Sequence, residues 1–198
     1  MNQPAAQIPE SEPGRPLSLR LKTAWELEFS NLRWGLMFCP LIARLLPDGR
    51  AMGLRTRLVR AVGVQIGPGT FFRGMPKMTS SAGPLRHRLR IGSDCEIGAR
   101  IILEFAEVIT IGDWVKLADG VVILTTSHEL GPKEHRAGRE VRSPVSIGNG
   151  VEIGEDAIIL PGATIGDGAR VLPRSVVNAT VAAGVTVGGI PARPQRAA

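Results

Sequence analysis

VSIGNGVEIGEDAIILPGATIGDGARVLPRSVV, residues 145–177, keeps a six-residue beat. The aliphatic residues Ile147, Ile153, Ile159, Ile165, Val171 and Val177 fall at every sixth position. Four residues after each of the first five stands a small or β-branched residue: Val151, Ala157, Ala163, Ala169 and Ser175. An α-helix repeats at about 3.6 residues and a plain strand at about 2, so neither gives a clean six. A short strand followed by a corner does. The aliphatic points inward, the small residue packs beside it, and glycines such as Gly148, Gly154 and Gly166 let the backbone turn. Several flat sides then close one coil, and coils stack at the ordinary strand spacing of roughly 4.8 Å. Each coil buries its aliphatics against its neighbours, so only a stack is stable.

The same beat runs upstream through Ile91, Ile97 and Leu103, with Cys95 and Ile101 in the small slot. It slips by two and resumes at Ile111, Leu117 and Ile123, with Val115 and Val121 in that slot. It then stops over LTTSHELGPKEHRAGREVRSP, residues 124–144. His128 stands at this break.

The bulk composition fits one domain with an extension. The chain has 198 residues, 43% of them hydrophobic, which is too apolar for disorder. Gly 24 and Pro 15 suit a fold with many corners. Tyr is absent and aromatics are scarce, so nothing suggests base-stacking platforms, and no nucleic-acid-binding motif is present. Two distant cysteines, Cys39 and Cys95, read as free thiols of a reduced, cytoplasmic protein. MNQPAAQIPESEPGRP, residues 1–16, is a polar, Pro-rich tail without the apolar core of a signal peptide. WGLMFCPLIARLL, residues 34–46, is too short to span a bilayer, which takes roughly 20 apolar residues. Residues 17–61 read as a helical extension, in which Leu54, Leu58 and Val62 form an i, i+4, i+8 stripe. It would cap the otherwise unpaired edge of the first coil. Charge is uneven: residues 1–90 sum to +9 and residues 91–198 to −3. The basic half reads as a solvated helical face. The alternative is an interfacial anchor at the inner membrane face or a site for an acidic partner.

TSHEL at 126–130, SPVSIGNGVEIG at 143–154, ILPGATIGDGA at 159–169 and VGGIPARP at 187–194 resemble the hexapeptide-repeat acyltransferases. The similarity is strongest to the sugar O-acetyltransferase branch, of galactoside, maltose and colanic-acid type. It covers residues 62–196. It implies a left-handed parallel β-helix, with a loop ejected at about 128–144. It also implies a homotrimer whose active sites lie between subunits, with acetyl-CoA as co-substrate and no metal. The acceptor would be a small-molecule or glycan hydroxyl, and the acyl group would pass directly from the thioester to that oxygen.

The resemblance assigns roles by register. The family's base stands where His128 does, sixteen residues before the Pro144 that restarts the repeats. Imidazole titrates near working pH, as a base that deprotonates a hydroxyl must. A base needs an orienting partner on its other ring nitrogen. The colanic-acid register gives Glu104. Relatives that use the acid after the histidine give Glu129. The galactoside register gives Ala106, with Glu107 beside it. The order of preference is Glu104, Glu129, Glu107. The CoA groove would take Gly154, Gly162, Pro173, Arg174, Arg193 and Arg196. His135, Arg136 and Arg139 would meet the acceptor, and a basic loop suits a phosphorylated or carboxylated one.

This chain departs from the family at Glu152, where a Trp is common, and at Pro173, where a small residue is common. It departs again at Asn178-Ala179, where a Thr-Lys pair is common. Glu155 replaces an oxyanion-assisting Ser. A carboxylate would repel the oxyanion, so that role passes to a backbone N–H near Gly154. These departures leave a longer acyl-CoA or an acyl carrier protein open as donor.

N-acetylation of an amine and a non-catalytic β-helix scaffold are the alternative functions. A γ-class carbonic anhydrase needs three zinc-binding histidines, two of them five apart; His128 and His135 are seven apart, and His87 lies far upstream.

Overall fold

The computed structural model describes residues 52–61, 63–79 and 88–195. The tail at 1–16, the extension before Met52, Val62, His87 and Arg196 lie outside the described residues.

The hexads close into three-sided coils, and the fold is the left-handed parallel β-helix. The first coil holds β1 (Gln65–Ile66), β2 (Phe71–Phe72) and β3 (Lys77–Thr79). The second holds β4 (Leu89–Ile91), β5 (Glu96–Ile97) and β6 (Ile102–Glu104). The third holds β7 (Ile109–Ile111), β8 (Lys116–Leu117) and β9 (Val122–Ile123). A hairpin of β10 (Thr126–Leu130) and β11 (Ala137–Arg142) follows. The fourth coil holds β12 (Val145–Ile147), β13 (Glu152–Ile153) and β14 (Ile158–Ile159), and the fifth β15 (Thr164–Ile165), β16 (Arg170–Val171) and β17 (Val176–Val177). β18 (Thr186–Gly188) and the antiparallel β19 (Arg193–Pro194) finish the stack.

Every third strand shares a sheet. Face A is β1-β4-β7-β12-β15, face B is β2-β5-β8-β13-β16-β18-β19 and face C is β3-β6-β9-β14-β17. The predicted inward positions are the core: Ile147, Ile153, Ile159, Ile165, Val171 and Val177 are each at most 1% exposed. Strand β12 pairs with β15 in register, Ile147 opposite Ile165. The slip of two falls in the turn from β6 to β7, where Phe105 and Ala106 tuck into the core. The corners carry their own ladder. Asp113 Oδ1 accepts the Ser93 N–H at 2.6 Å, Asn149 Oδ1 the Asp113 N–H at 2.8 Å, and Asp167 Oδ1 the Asn149 N–H at 2.7 Å. At the corner between faces A and B the chain turns through positive φ at Gly150 and Gly168, and also at Asp94 and Trp114.

The outward residues differ by face. Face B alternates in charge: Glu96, Lys116, Glu152 and Arg170 follow one another up the ladder, with Arg170–Glu152 paired at 3.0 Å. Face C presents half-buried Ile102, Val122, Ile158 and Val176.

Helix α1 (Met52–Ala61) packs on β2. Its buried side is Arg55, Thr56 and Val59 rather than the predicted Leu54 stripe, and Leu54 is 45% exposed. Polar anchoring decides this orientation. The Arg55 guanidinium donates to the Arg73 carbonyl at 2.6 Å, and the Thr56 hydroxyl to the Thr70 carbonyl at 3.3 Å.

Candidate active site

The break in the beat is a β-hairpin, Thr126 to Arg142, where a loop at about 128–144 is expected. It leaves the prism at the corner between faces C and A. Buried Thr125 and half-buried Ser143 close its root, with the Ser143 N–H donating to the Thr125 carbonyl at 2.9 Å. The strands pair Thr126 with Arg142, Ser127 with Val141 and His128 with Glu140, then shift register before Leu130 meets Ala137. Such a bulge re-aims the side chains beside it. Gly138 makes it feasible, because a Cβ there would sit 2.8 Å from the Glu129 carbonyl oxygen.

The bulge sets the histidine. His128 Nδ1 lies 3.1 Å from the Gly138 carbonyl oxygen. A carbonyl can only accept, so Nδ1 carries the proton and, in the neutral ring, Nε2 keeps its lone pair. The ring is exposed, as a base for an external acceptor must be. The hydrogen-bond partner of the ring is thus a backbone carbonyl.

The predicted carboxylates are occupied elsewhere. Glu104, at the end of β6, lies one coil before the hairpin root. Its Oε2 accepts the Thr125 N–H at 2.8 Å, the Thr126 N–H at 3.0 Å and the Thr126 hydroxyl at 3.0 Å; its Oε1 accepts the Ala106 N–H at 3.1 Å. Partial burial alone would push this carboxyl up, but the surrounding donors outweigh it and hold it below the usual carboxylate range. Glu104 therefore anchors the hairpin root and does not orient the His128 ring. Glu129 pairs with Arg139 at 2.7 Å, which holds the Glu129 carboxyl below its usual range. Glu107 accepts the N–H of Val108. Each of the three carboxylates is thus engaged by a nearby donor: Glu104 by several N–H groups, Glu107 by one, and Glu129 by a guanidinium.

The hairpin is also less basic than its sequence suggests. Arg139 is matched by Glu129 and Arg142 by Glu140 at 2.6 Å. Arg136 donates to the Gly131 carbonyl at 3.4 Å, and His135 lies in the exposed turn.

The residues expected at the CoA groove fall on two edges. Gly162, with φ +80°, sits at the C–A corner, where a Cβ would lie 3.5 Å from the Ser143 side chain at the hairpin root. Gly154, Pro173 and Arg174 lie at the opposite margin of face C, its corner with face B. There a Gly154 Cβ would meet the Pro173 nitrogen at 2.5 Å. The Gly154 N–H donates to the Val171 carbonyl at 2.8 Å, so the ladder uses the amide expected to stabilise an oxyanion. Arg174 faces Asp156 at 4.0 Å, and Arg193 is exposed on β19. Sequence reasoning passed over Thr125 and Gly138; a buried threonine before a histidine and a glycine ten residues after it were the available signals. Among the described residues, no group of three or more His, Cys, Asp or Glu is placed to hold a metal ion.

Known proteins resemble this chain in sequence and fold. Residues 144–179 match the bacterial transferase hexapeptide model of six repeats. Nodulation protein L of Rhizobium meliloti is 37% identical over 130 residues, 65% of this chain and 68% of that protein. Galactoside O-acetyltransferase of Escherichia coli is 33% identical over 108 residues, 52% of this chain; the chain spans about half of that relative, 53%. A hexapeptide-repeat acetyltransferase of Vibrio cholerae, solved with acetyl coenzyme A, superposes with a TM-score of 0.70. It is 28% identical, over 85% of this chain and 88% of that one.

Proposed function

The chain belongs to the bacterial transferase hexapeptide family, and on that footing we propose that it transfers an acetyl group from acetyl-CoA to a hydroxyl of a sugar or glycan-like acceptor. The observation that carries this reading is the His128–Gly138 hydrogen bond, which places the proton on Nδ1 and leaves Nε2 of the exposed ring unprotonated, as a base must be. His128 Nε2 takes the acceptor proton as the oxygen attacks the thioester carbonyl. The C–S bond then breaks, and the imidazolium returns the proton to the departing sulfur. No side chain is acylated. The neutralised arginines of the hairpin favour an uncharged acceptor over a phosphorylated one. Similarity to a galactoside O-acetyltransferase supports a carbohydrate.

The two-edge distribution supports a trimer with the site between subunits. His128 lies at one margin of face C, and Gly154, Pro173 and Arg174 at the other. A threefold axis facing the apolar ladder Ile102, Val122, Ile158 and Val176 would bring one subunit's hairpin against the next subunit's far margin. Leu130, 82% exposed beyond the bulge, would find apolar cover there.

The test is thiol release from acetyl-CoA with a panel of sugars. His128→Ala should lower turnover by about 10² or more while acetyl-CoA still raises the unfolding temperature. Turnover equal to that of the natural chain would remove the mechanism.

A further inference from the structure

From Gly49 to Ser93 the chain has nine Arg and Lys residues and no Asp or Glu, whereas from Asp94 onward it has ten against thirteen. The structure gathers the described part of this stretch at one end of the prism: α1, the first coil and β4. Three of its cations are engaged. Arg55 is buried, Arg73 faces Glu96 at 3.6 Å and Asp119 at 3.7 Å, and Arg88 donates to the Ala106 carbonyl. Arg57, Lys77 and Arg90 are exposed and form no ion pair with a described carboxylate. Arg60 is exposed and donates to the Gly67 carbonyl at 2.8 Å, a contact that leaves its charge uncompensated.

Beside Arg57 and Arg60 a groove of about 610 Å³ opens between α1 and the A–B corner of the first coil. Ile66, Pro68 and Phe71 line it. Leu54 stands exposed on the same helix. Cations around an apolar slot match the boundary of a bilayer, where phosphates lie above hydrocarbon. A nucleic acid would match the charge and leave the apolar lining unused. Among the described residues no helix is long and apolar enough to cross a membrane.

We propose that this end of the prism docks on an anionic membrane surface, with Arg57, Arg60 and Arg90 meeting lipid phosphates and the groove seating the upper carbons of one lipid. The proposal is independent of acyl transfer, and its test reads no activity. The full chain would be sedimented with vesicles of phosphatidylcholine alone and of phosphatidylcholine mixed with phosphatidylglycerol, at low and high salt. Binding to the mixed vesicles only, weakened by salt, is expected. Arg57→Gln and Arg90→Gln should each weaken it roughly fivefold, with unfolding curves unchanged because both side chains are exposed. Lys133→Gln, in the distant hairpin, should leave it unaltered. Equal binding to neutral vesicles, no response to the two substitutions, or binding to heparin without binding to vesicles would each overturn the proposal.

Discussion

Glu104 holds Thr126 by two bonds from one oxygen: its Oε2 accepts the Thr126 N–H at 3.0 Å and the Thr126 hydroxyl at 3.0 Å. The contact crosses one coil boundary and fixes where the chain leaves the stack. Two residues later comes His128. Replacing Glu104 by Ala would leave buried or half-buried donors without an acceptor, a cost of about 1–3 kcal/mol. Denaturant unfolding should show that loss, and turnover should fall as the hairpin root loosens. A variant with natural stability and turnover would show that the root is set by the coil alone.

The same carboxylate gives stability a pH dependence. Its folded pKa lies below the ordinary value near 4.5. A depressed carboxyl contributes its stability in full above the unfolded pKa, and that contribution is lost as pH falls through the folded pKa. Urea midpoints for the natural chain should therefore drop steeply below about pH 4.5, and those of Glu104→Gln less so. Parallel curves would assign the acid sensitivity to other groups.

Gly138→Ala tests the bulge. The added methyl would meet the Glu129 carbonyl at 2.8 Å, a backbone atom that cannot swing aside. The strands must part, and the carbonyl that holds His128 Nδ1 moves with them. Turnover should fall by roughly tenfold or more, since positioning errors of this scale are costly, with KM changed far less. A rise in KM with turnover intact would place Gly138 in acceptor binding instead.

Face C makes a separate prediction. Ile158→Lys puts a charge in the middle of the apolar ladder without touching the inward core. Light scattering should show a shift from trimer to monomer, and activity should fall with it, while circular dichroism keeps the β-helix signal. A monomeric natural chain would refute the arrangement outright.

The core was legible because it is periodic. Once Ile147, Ile153 and Ile159 share a register, each later inward position follows by counting, and the small slots at Ala157, Ala163 and Ala169 are as buried as expected. The place of His128 on the hairpin was legible for the opposite reason, since it stands where counting fails. The hairpin was read as a loop because TSHEL and AGREVR are polar on both faces, so no alternation marks them as strands. The carboxylates were not legible. Glu104 and Glu107 both point away from the core, and the backbone N–H groups that capture them belong to a corner whose path no hexad specifies. The burial of Arg55 escaped for a similar reason: a charged side chain entered the packed side of α1 to reach a carbonyl eighteen residues away.

The register of β12 on β15 also gives the molecule a unit of length. Ile147 sits over Ile165, eighteen residues on, so one coil is three hexads. Deleting eighteen residues would remove a floor from the building and leave the floors above and below matched. Deleting six would turn everything beyond the cut by a third of a revolution, setting the aliphatic ladder of one wall over the charges of the next. The corner between faces C and A is exempt, because the hairpin, like the two extra residues of the β6–β7 turn, leaves and rejoins the stack there. The hairpin's length can change freely, and the stack above and below it would register no difference.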